Sequence, residues 1–463
     1  MKSIGKIDEK RIPSEVIQLL TELYESGYEA YLVGGCVRDM LIGEEPHDWD
    51  ICTSARPVQM ISLFQDKLKR HVVPTGIEHG TVTVMMGGTG YEITTYRTDG
   101  DYSDGRHPDS VEFASSIKED LLRRDFTINA IAYSPITHEL VDPFHGVKDI
   151  EQGVIVAVGD PKERFLEDAL RILRGMRFSI KYDYKIEENT SKYMHEYKER
   201  LDIISKERIT QEFKKMLTCG KPIKTVFMEY SDIVSVVIPE IKDCIGFWQN
   251  NKYHKHNVYE HILYVVDYCE TTDFCIKMAA LLHDIAKPVA YVTDEEGHGH
   301  FYGHPEMSYE MSLVILKEDF RVTSEQYDLI TRLVRYHDDS IAGSKPAVKR
   351  ALNKHGVDFI FKWFVLRKAD QDDHIYGENA YKYVTDIPKV TELIHEIEEE
   401  NACFKIKDLD INGHDIMKLL SIKPCEHIGT ILSTLLDEVI NEKIENKHDK
   451  LMSRTIEIYE RIK

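Results

Sequence analysis

The 463-residue chain is short of three things, and each shortage excludes something. It has no apolar run of about twenty residues, the length a membrane-crossing helix needs. Its first ten residues, MKSIGKIDEK, hold no apolar core of the kind a secretory leader carries. A soluble, cytoplasmic protein with no membrane partner is the expectation. It also lacks any C-x-x-C pair. Its eight cysteines (Cys36, Cys52, Cys219, Cys244, Cys269, Cys275, Cys403 and Cys425) are scattered, which fits neither a zinc knuckle nor a disulfide framework. Lastly it is short of positive charge, with 59 Lys and Arg against 80 Asp and Glu and a formal net charge of -21. Such a chain is not built to coat nucleic acid nonspecifically, so a nucleic-acid partner has to be held on a confined basic surface. What the chain does have is apolar bulk. With 42% hydrophobic residues over this length it can bury more than one core, which predicts about two to four domains, mainly helical with one α/β module.

The stretch YLVGGCVRDMLIGEEPHDWDICTSARP, residues 31–57, organises the rest. An apolar run ends in Gly34-Gly35, where the backbone can turn tightly and approach a ligand without a side chain in the way. A helix beginning near Val37 carries Arg38 and Asp39 in its first turn and stops at Gly43. Amides at such a helix start suit a phosphate, with Arg38 nearby as ion partner. Read as a strand, Asp48-Trp49-Asp50-Ile51 puts both carboxylates on one face and Trp49 on the other. Two neighbouring carboxylates suit a divalent cation such as Mg²⁺ bridging to nucleotide phosphates; the plain alternative is a solvated D-x-D turn. Cys36 and Cys52 have no visible base beside them and read as small packing residues. The order G-G-x-V-R-D, gap, D-x-D closely resembles the polymerase-beta-like nucleotidyltransferase superfamily in its tRNA branch.

The flanking segments follow in order. Residues 12–25 form an amphipathic helix with Val16, Leu19, Leu20 and Leu23 as its stripe. Residues 57–68 read as a second helix. Two alternating segments, 81–86 and 91–96, read as a hairpin joined by Gly87-Gly88-Thr89-Gly90. Glu92 lies on the second strand, either facing solvent or, as the resemblance implies, completing the metal site. TDGDYSDGRHPDSVEF, residues 98–113, is rich in turn formers and reads as a mobile loop; the resemblance makes Asp104 and Arg106 catalytic candidates. LLRRDFTINAIAYSP carries apolar residues at helix-compatible positions. Its paired arginines suit a triphosphate, because a planar guanidinium can fork onto phosphate oxygens, unless they serve only to pair with Asp125. The stretch resembles the second motif of tRNA nucleotidyltransferases, which marks Arg124, Asp125 and Asn129 as nucleotide-binding candidates. Residues 140–158 read as short strands, and Gly159-Asp160-Pro161 as a boundary. RFLEDALRILRGMRFSIKY reads as one strong helix, with Asp168 and Arg171 on one face and Glu167 and Arg171 as an i,i+4 pair. Any stable surface helix can show this, but E-D-x-x-R resembles the family element that reads the incoming base. That implies Asp168 and Arg171, with Arg174 as a weaker candidate. Residues 187–217 are charged helices without a motif.

Histidines gather in the second half: His261 in an apolar-patterned helix, His283-Asp284 closing MAALLHDIAKP, His304, His337, and then Asp370. The order H, HD, H, H, D resembles the HD-domain superfamily of metal-dependent phosphohydrolases. That resemblance implies a site for Mn²⁺, Ni²⁺, Fe²⁺, Zn²⁺ or Mg²⁺, ions suited to mixed imidazole and carboxylate ligands and able to activate water. His254, His256, His298 and His300 read as loop residues. The tail LDINGHDIMKLLSIKPCEHIGTILSTLLDEVI is similar to the C-terminal region of tRNA nucleotidyltransferases, with a turn expected around His427-Ile428-Gly429; Pro424-Cys425 stands where Pro-Gly is common.

Together these likenesses imply an α+β protein: a nucleotidyltransferase head with a small mixed sheet (1–150), a helical neck recognising the base (151–225), an HD-type helical body (226–376) and a helical tail for tRNA (377–463). The implied reaction is CCA addition to the tRNA 3′ end from CTP and ATP with Mg²⁺ on Asp48 and Asp50. Two alternatives stay open. One is a poly(A) polymerase or an enzyme adding only C or only A; the other is chiefly an HD phosphohydrolase with an RNA-binding head. The sequence sets no oligomeric state.

Overall fold

The computed structural model describes residues 6–74, 76–99, 111–250, 255–373, 385–400 and 402–463. Asp104, Arg106 and His254 lie outside them. The chain divides into two compact units, residues 1–242 with 317–321, and residues 243–316 with 322–463. Among the described residues no helix is long and apolar enough to cross a membrane. All eight cysteines are free.

The first unit opens with α1 (Ser14–Glu25), which buries Val16, Leu19, Leu20 and Leu23 and ends before Gly27 at φ 84°. Then come β1 (Ala30–Val33), α2 (Gly35–Ile42), β2 (Ile51–Thr53), α3 (Pro57–Ile61), β3 (Val72–Val73), β4 (Thr81–Met86) and β5 (Thr89–Thr95). Next are β6 (Arg97–Asp99), β7 (Val111–Phe113), α4 (Ile117–Leu122), β8 (Ala132–Ser134), β9 (Glu139–Val141) and α5 (Gly146–Gln152). Four further helices complete what concerns the site: α6 (Pro161–Glu167), α7 (Leu170–Tyr182), α8 (Glu188–Glu196) and α9 (Lys206–Leu217).

Seven strands make one mixed sheet in the order β3-β4-β5-β2-β1-β8-β9. β2 and β5 run parallel, while β1 is antiparallel to both its neighbours, β2 and β8. Side-chain alternation splits the core between the two faces. Leu32, Ile51, Ile93 and Val82 join the cluster holding α1 and α2. Tyr31, Val33, Cys52 and Tyr96 pack with Ile117 and Leu121 of α4. The expected small mixed sheet is therefore present, and helices dominate elsewhere.

Several local readings need correction. Asp48 and Asp50 precede β2, which starts only at Ile51. α2 begins at Gly35 rather than Val37. The hairpin turns on Gly87-Gly88 alone, both at positive φ, with Met86 paired to Thr89; glycines admit that tight turn two residues earlier than the alternation suggested. Residues 57–68 stay helical but widen to a π-helix from Ser62 to Lys67. The 98–113 segment is not all loop, because β6 and β7 pair antiparallel at its ends. The 121–131 stretch is no continuous helix. α4 stops at Leu122, a short 3₁₀ turn spans Thr127–Asn129, and Phe126 bridges to Ala157. Residues 140–158 include a helix, α5, started by Asp142, whose carboxylate accepts from the amides of Gly146 (2.7 Å) and Val147 (3.0 Å). In the tail, His427-Ile428-Gly429 lie in the first turn of a helix, Glu426–Ile440, and the chain reverses earlier, at Ser421 in the left-handed region.

The second unit is mainly helical, with α10 (Val258–Tyr268), α11 (Phe274–Leu282), α12 (His304–Glu318, whose last two residues fall in the first unit), α13 (Ser324–Tyr336), α14 (Lys345–His355) and α15 (Val357–Asp372), besides a hairpin of Tyr291–Thr293 with Gly299–Phe301. A tail core of Ile416, Ile431, Leu435, Leu451 and Ile458 follows. Side chains cap three helix starts: Asn257 accepts from the Glu260 amide, Asp273 from that of Cys275, and Thr323 from that of Gln326.

Candidate functional site

Gly34 stands at φ 71°, between β1 and α2. This positive φ is what selects glycine here, and a Cβ would lie 2.6 Å from Nη1 of Arg124, so a side chain would also displace that guanidinium. The Val33 amide donates to the Asp50 carbonyl (3.1 Å), tying the D-x-D segment beside the helix start.

Around this turn a cleft of about 440 Å³ is lined by seven arginines: Arg38, Arg123, Arg124, Arg171, Arg174, Arg177 and Arg208. Gly34, Gly35, Asp50, Asp125, Asn129 and Asp168 complete its polar lining. Arg38 is fixed by Asp39 (Nε to Oδ1, 2.9 Å) and Asn129, and stacks over the Phe178 and Tyr182 rings. Asn129 in turn donates to Asp125 (2.9 Å), which also accepts from Nε of Arg174 (2.7 Å). Burial works to raise the Asp125 carboxyl, yet the charges of Arg174 and Arg171 and these hydrogen bonds hold it well below the usual carboxylate range. The ion pair therefore persists, and Asn129, Asp125 and Arg174 form one rigid wall.

Arg171 pairs with Glu167 (2.6 Å) as the spacing predicted, and it donates to the Arg123 carbonyl (2.9 Å). Asp168 departs from expectation. It does not share a helix with Arg171 but sits in extended conformation between α6 and α7, at φ -142° and ψ 101°. Its carboxylate accepts from the Leu170 amide (3.0 Å), competing with helix continuation, and Arg208 of α9 clamps both oxygens at 3.2 and 2.7 Å.

Asp48 and Asp50 stand just before β2, and Trp49 between them packs against the core under α1 and α2. Asp50 keeps solvent access, but burial of its carboxyl in the cleft raises it above the usual range, with Arg124 pulling it down and Asp48 pushing it up. Such like-charged crowding fits a hard divalent cation. Ile51 pairs with Ile93, so one step earlier Asp50 and Glu92 are neighbours in register, with Glu92 exposed. The three head carboxylates are not among the groups whose ligand atoms lie within 4.8 Å of one another. Cys36 is buried and its thiol pushed up to about 12 by that burial and by Asp50, so it packs rather than reacts.

Two groups that do meet that distance lie in the second unit, His261 with His283 and Asp370, and Asp284 with His304 and His337. All six sequence candidates thus come together. Each imidazole has its Nδ1 against an oxygen: His261 on Asp373 (2.9 Å), His283 on the Ala280 carbonyl (2.8 Å), His304 on that of Phe301 (2.9 Å) and His337 on that of Val334 (2.7 Å). A carbonyl can only accept, so His283, His304 and His337 keep the proton on Nδ1 and turn the Nε2 lone pair into the cluster, while His261, which burial acts to lower, is pushed up to about 10 by its hydrogen bonds to Asp284, Asp370 and Asp373. There the Nε2 atoms face one another, His261 to His283 at 3.3 Å and His304 to His337 at 3.2 Å. The facing lone pairs of His304 and His337 repel unless a cation lies between them. Asp284 spans both groups. Its Oδ2 is 3.2 Å from His261 Nε2 and its Oδ1 3.2 Å from His304 Nε2, yet neither buried oxygen makes a hydrogen bond of good geometry. This donor set, imidazoles with a bridging carboxylate, fits a pair of divalent metal ions. Asp373, Lys287 (2.6 Å from Asp284) and Arg367 (3.0 Å from Asp370) surround it.

Arg177 and Arg208 were not singled out in the sequence. Arg177 had a signal, since Arg171, Arg174 and Arg177 recur every third residue on α7; Arg208 had none, sitting among the charges of α9.

Comparison with known proteins gives four matches to family models. "Poly A polymerase head domain" covers residues 30–156, "Probable RNA and SrmB- binding site of polymerase A" 183–245, "HD domain" 253–398, and tRNA nucleotidyltransferase domain 2 residues 375–454. The CCA-adding enzyme of Ligilactobacillus salivarius is 30% identical over 97% of this chain and 98% of its own. That of Limosilactobacillus reuteri is 48% identical over 44% of this chain, and there the match spans about half of the relative's length (49%). Among solved structures, the Bacillus stearothermophilus CCA-adding enzyme in complex with CTP superposes with a TM-score of 0.69 at 24% identity, covering 96% of both chains. The Thermotoga maritima CCA-adding enzyme complexed with tRNA gives 0.58 at 20%, again over 96% of each. At these identities the likeness speaks for the fold.

Proposed function

Because the chain belongs to the CCA-adding enzymes, we propose that it adds or repairs the 3′-terminal CCA of tRNA from CTP and ATP without a nucleic-acid template. The observation that carries this reading is the arginine-lined cleft built on the Gly34-Gly35 turn, with Asp50 at its edge. In the reaction the tRNA 3′ hydroxyl oxygen attacks the α-phosphorus of the nucleotide. A new phosphodiester bond forms, the bond to the bridging oxygen breaks, the hydroxyl proton is lost and pyrophosphate leaves.

Each residue has a part in that step. Asp48 and Asp50, with Glu92, would hold Mg²⁺, which would supply neutralising charge at the phosphates and lower the pKa of the hydroxyl. The Gly34-Gly35 turn admits the phosphates to close range of the backbone, while Arg38 and Arg124 counter their charge. Asp168 and Arg171 read the base edge, a carboxylate accepting from the exocyclic amine that cytosine and adenine share and a guanidinium donating to the ring acceptor beside it. Asn129, Asp125 and Arg174 form the wall behind them. Arg106, which follows Glu92 in the sequence, takes part in catalysis as the resemblance implies. The working division is head 1–150, neck 151–225, HD body 226–376 and tRNA-binding tail 377–463.

The test uses tRNA transcripts lacking three, one or none of the terminal nucleotides, each with CTP, ATP or both plus Mg²⁺, followed by 3′-end sequencing. Ordered addition that stops at CCA is the expected outcome. A long A tail or addition of only one nucleotide type would replace the substrate assignment. Asp48→Ala should lower the rate at least about a hundredfold, because neutralisation at phosphorus is worth several kcal/mol, with the circular dichroism spectrum retained.

A second reading rests on the histidine cluster: a metal-dependent phosphohydrolase in the same chain, in which His261, His283, Asp284, His304, His337 and Asp370 would hold divalent ions that would activate water. Under it, His283→Ala removes phosphate-ester hydrolysis and leaves nucleotide addition within about twofold. Loss of both activities would make the HD site the chain's one active centre.

A further inference from the structure

The histidine cluster is closed on nearly every side. The side chains of His261, His283, Asp284 and His337 are at most 2% exposed and that of Asp370 is 6% exposed, against 12% for His304. Solvent, and with it a substrate, therefore reaches the ligands beside His304. This residue opens α12 directly after the hairpin of Tyr291–Thr293 and Gly299–Phe301, and its Nδ1 donates to the Phe301 carbonyl at 2.9 Å, so Tyr302-Gly303 forms a tight turn at the mouth. Gly303 stands at φ 74°, and a Cβ on it would meet nothing within 4 Å, so the turn leaves open space beside the backbone. Tyr302 borders that space. At 73% exposure it is the most exposed Phe, Tyr or Trp among the described residues.

The ring is nonetheless held in place. Asp294 accepts from the amides of Glu296 (3.0 Å) and His298 (2.8 Å), which sets the hairpin's loop, and from Nε2 of His300 (2.8 Å). His300 in turn stacks on Tyr302, with ring centres 5.3 Å apart and planes 6° from parallel. Two residues apart on a strand, they share a side. His300 thus covers the ring face that looks back along the strand and leaves open the face that looks on, over Gly303 toward His304. An open aromatic face suits a nucleobase, since every base has a π-face to stack on it. Two residues of chain span at most about 7 Å, so a base on Tyr302 leaves only the rest of one nucleotide to reach His304. We propose that Tyr302 binds the substrate of the histidine cluster, a nucleoside phosphate ester whose base stacks on the open ring face while its phosphate lies at the mouth beside His304. The inference rests on the hydrolase reading and names that site's substrate class. In the hydrolysis the water oxygen bonds to phosphorus, the ester bond to the nucleoside oxygen breaks, that oxygen takes a proton and inorganic phosphate leaves. Tyr302 takes no part in this step and acts on binding alone.

The test is steady-state hydrolysis by the full chain with Mn²⁺. Its probes are adenosine 3′-monophosphate, an RNA trinucleotide ending in a 3′-phosphate, and glycerol 2-phosphate, which has no ring. Tyr302→Ala should raise KM for both nucleotide esters at least tenfold with kcat within about twofold, and should leave glycerol 2-phosphate as it was. Tyr302→Phe, which keeps the ring, should keep the original KM. A lower KM for the trinucleotide would identify the strand end as the source of the ester and a lower KM for adenosine 3′-monophosphate the free nucleotide; both carry the site. Independently of turnover, 8-azidoadenosine 3′-monophosphate irradiated with the full chain should label Tyr302, read by peptide mass spectrometry, and excess adenosine 3′-monophosphate should prevent it. Hydrolysis of all three esters with KM indifferent to Tyr302→Ala, and no label on Tyr302, would overturn the inference and leave the hydrolase reading standing. Hydrolysis of none of them would overturn both.

Discussion

A single buried carboxylate sets the geometry of two of the cleft's arginines. Asp120 is fully buried. Its Oδ1 accepts from Arg123 Nε (3.0 Å) and Nη2 (2.9 Å), and its Oδ2 from Arg124 Nη2 (3.1 Å). Burial acts to raise this carboxyl, but the Arg124 and Arg123 charges outweigh it and hold it below its ordinary range. Its charge thus persists below the usual carboxylate range, and the two arginines hold different oxygens, Oδ1 accepting also from the Arg97 amide (3.4 Å) and Oδ2 from the Cys52 thiol (3.6 Å). Asp120→Asn preserves the shape and deletes the anion, leaving two guanidiniums around a neutral amide. Breaking a buried pair from one side costs about 3–5 kcal/mol, so the melting temperature should fall by several degrees. The KM for CTP should rise roughly tenfold with a smaller change in kcat, because the arginines lose their aim on the phosphates before the chemistry is touched. A normal KM in a folded Asp120→Asn protein would show that Arg124 needs no such anchor.

At the scale of elements, the base-reading candidates depend on a break that the sequence conceals. The apolar rhythm of RFLEDALRILRGMRF runs through Asp168 without a fault, which is why one helix is the natural reading. The interruption comes from the Asp168 side chain taking the Leu170 amide and from Arg208, forty residues on, holding both of its oxygens. Arg208→Ala should therefore release Asp168 and lower discrimination of CTP and ATP against UTP and GTP by about tenfold, a change read from the four kcat/KM values on one transcript. Unchanged ratios would mean that Arg208 serves only α9. The same division runs through the whole site. Gly34-Gly35, the paired aspartates and the histidines were legible because each chemistry needs those residue types at short spacing. α5 was not legible. Its start depends on Asp142 capping two amides and on Gly146 lying where a Cβ would be 2.1 Å from the Thr127 carbonyl, a contact no local pattern announces. The misread helix over 121–131 has the same origin, since Phe126 leaves helical geometry to bridge Ala157.

Across the whole molecule, the arginine cleft and the histidine cluster belong to different compact units, and each unit's stability should answer to its own ligands. The cluster gathers four imidazoles and two carboxylates, with the Nε2 lone pairs of His283, His304 and His337 turned inward and Asp284 lacking well-formed hydrogen bonds. In such a site a bound divalent ion stabilises the folded state by mass action, about 2.7 kcal/mol at a hundred times its dissociation constant. After chelation, readdition of Mn²⁺ or Ni²⁺ should raise the unfolding temperature of the second unit and shield its amides from hydrogen exchange, with the strongest effect in α10, α11 and α15. Mg²⁺, which prefers all-oxygen ligands, should do so less. In Asp284→Ala, which removes the one carboxylate common to both ligand groups, the ion should produce no such gain, while CTP should still protect amides around Gly34-Gly35. If the metal protected both units alike in Asp284→Ala, its binding would have to be assigned to the head carboxylates and the cluster read as a packed polar core.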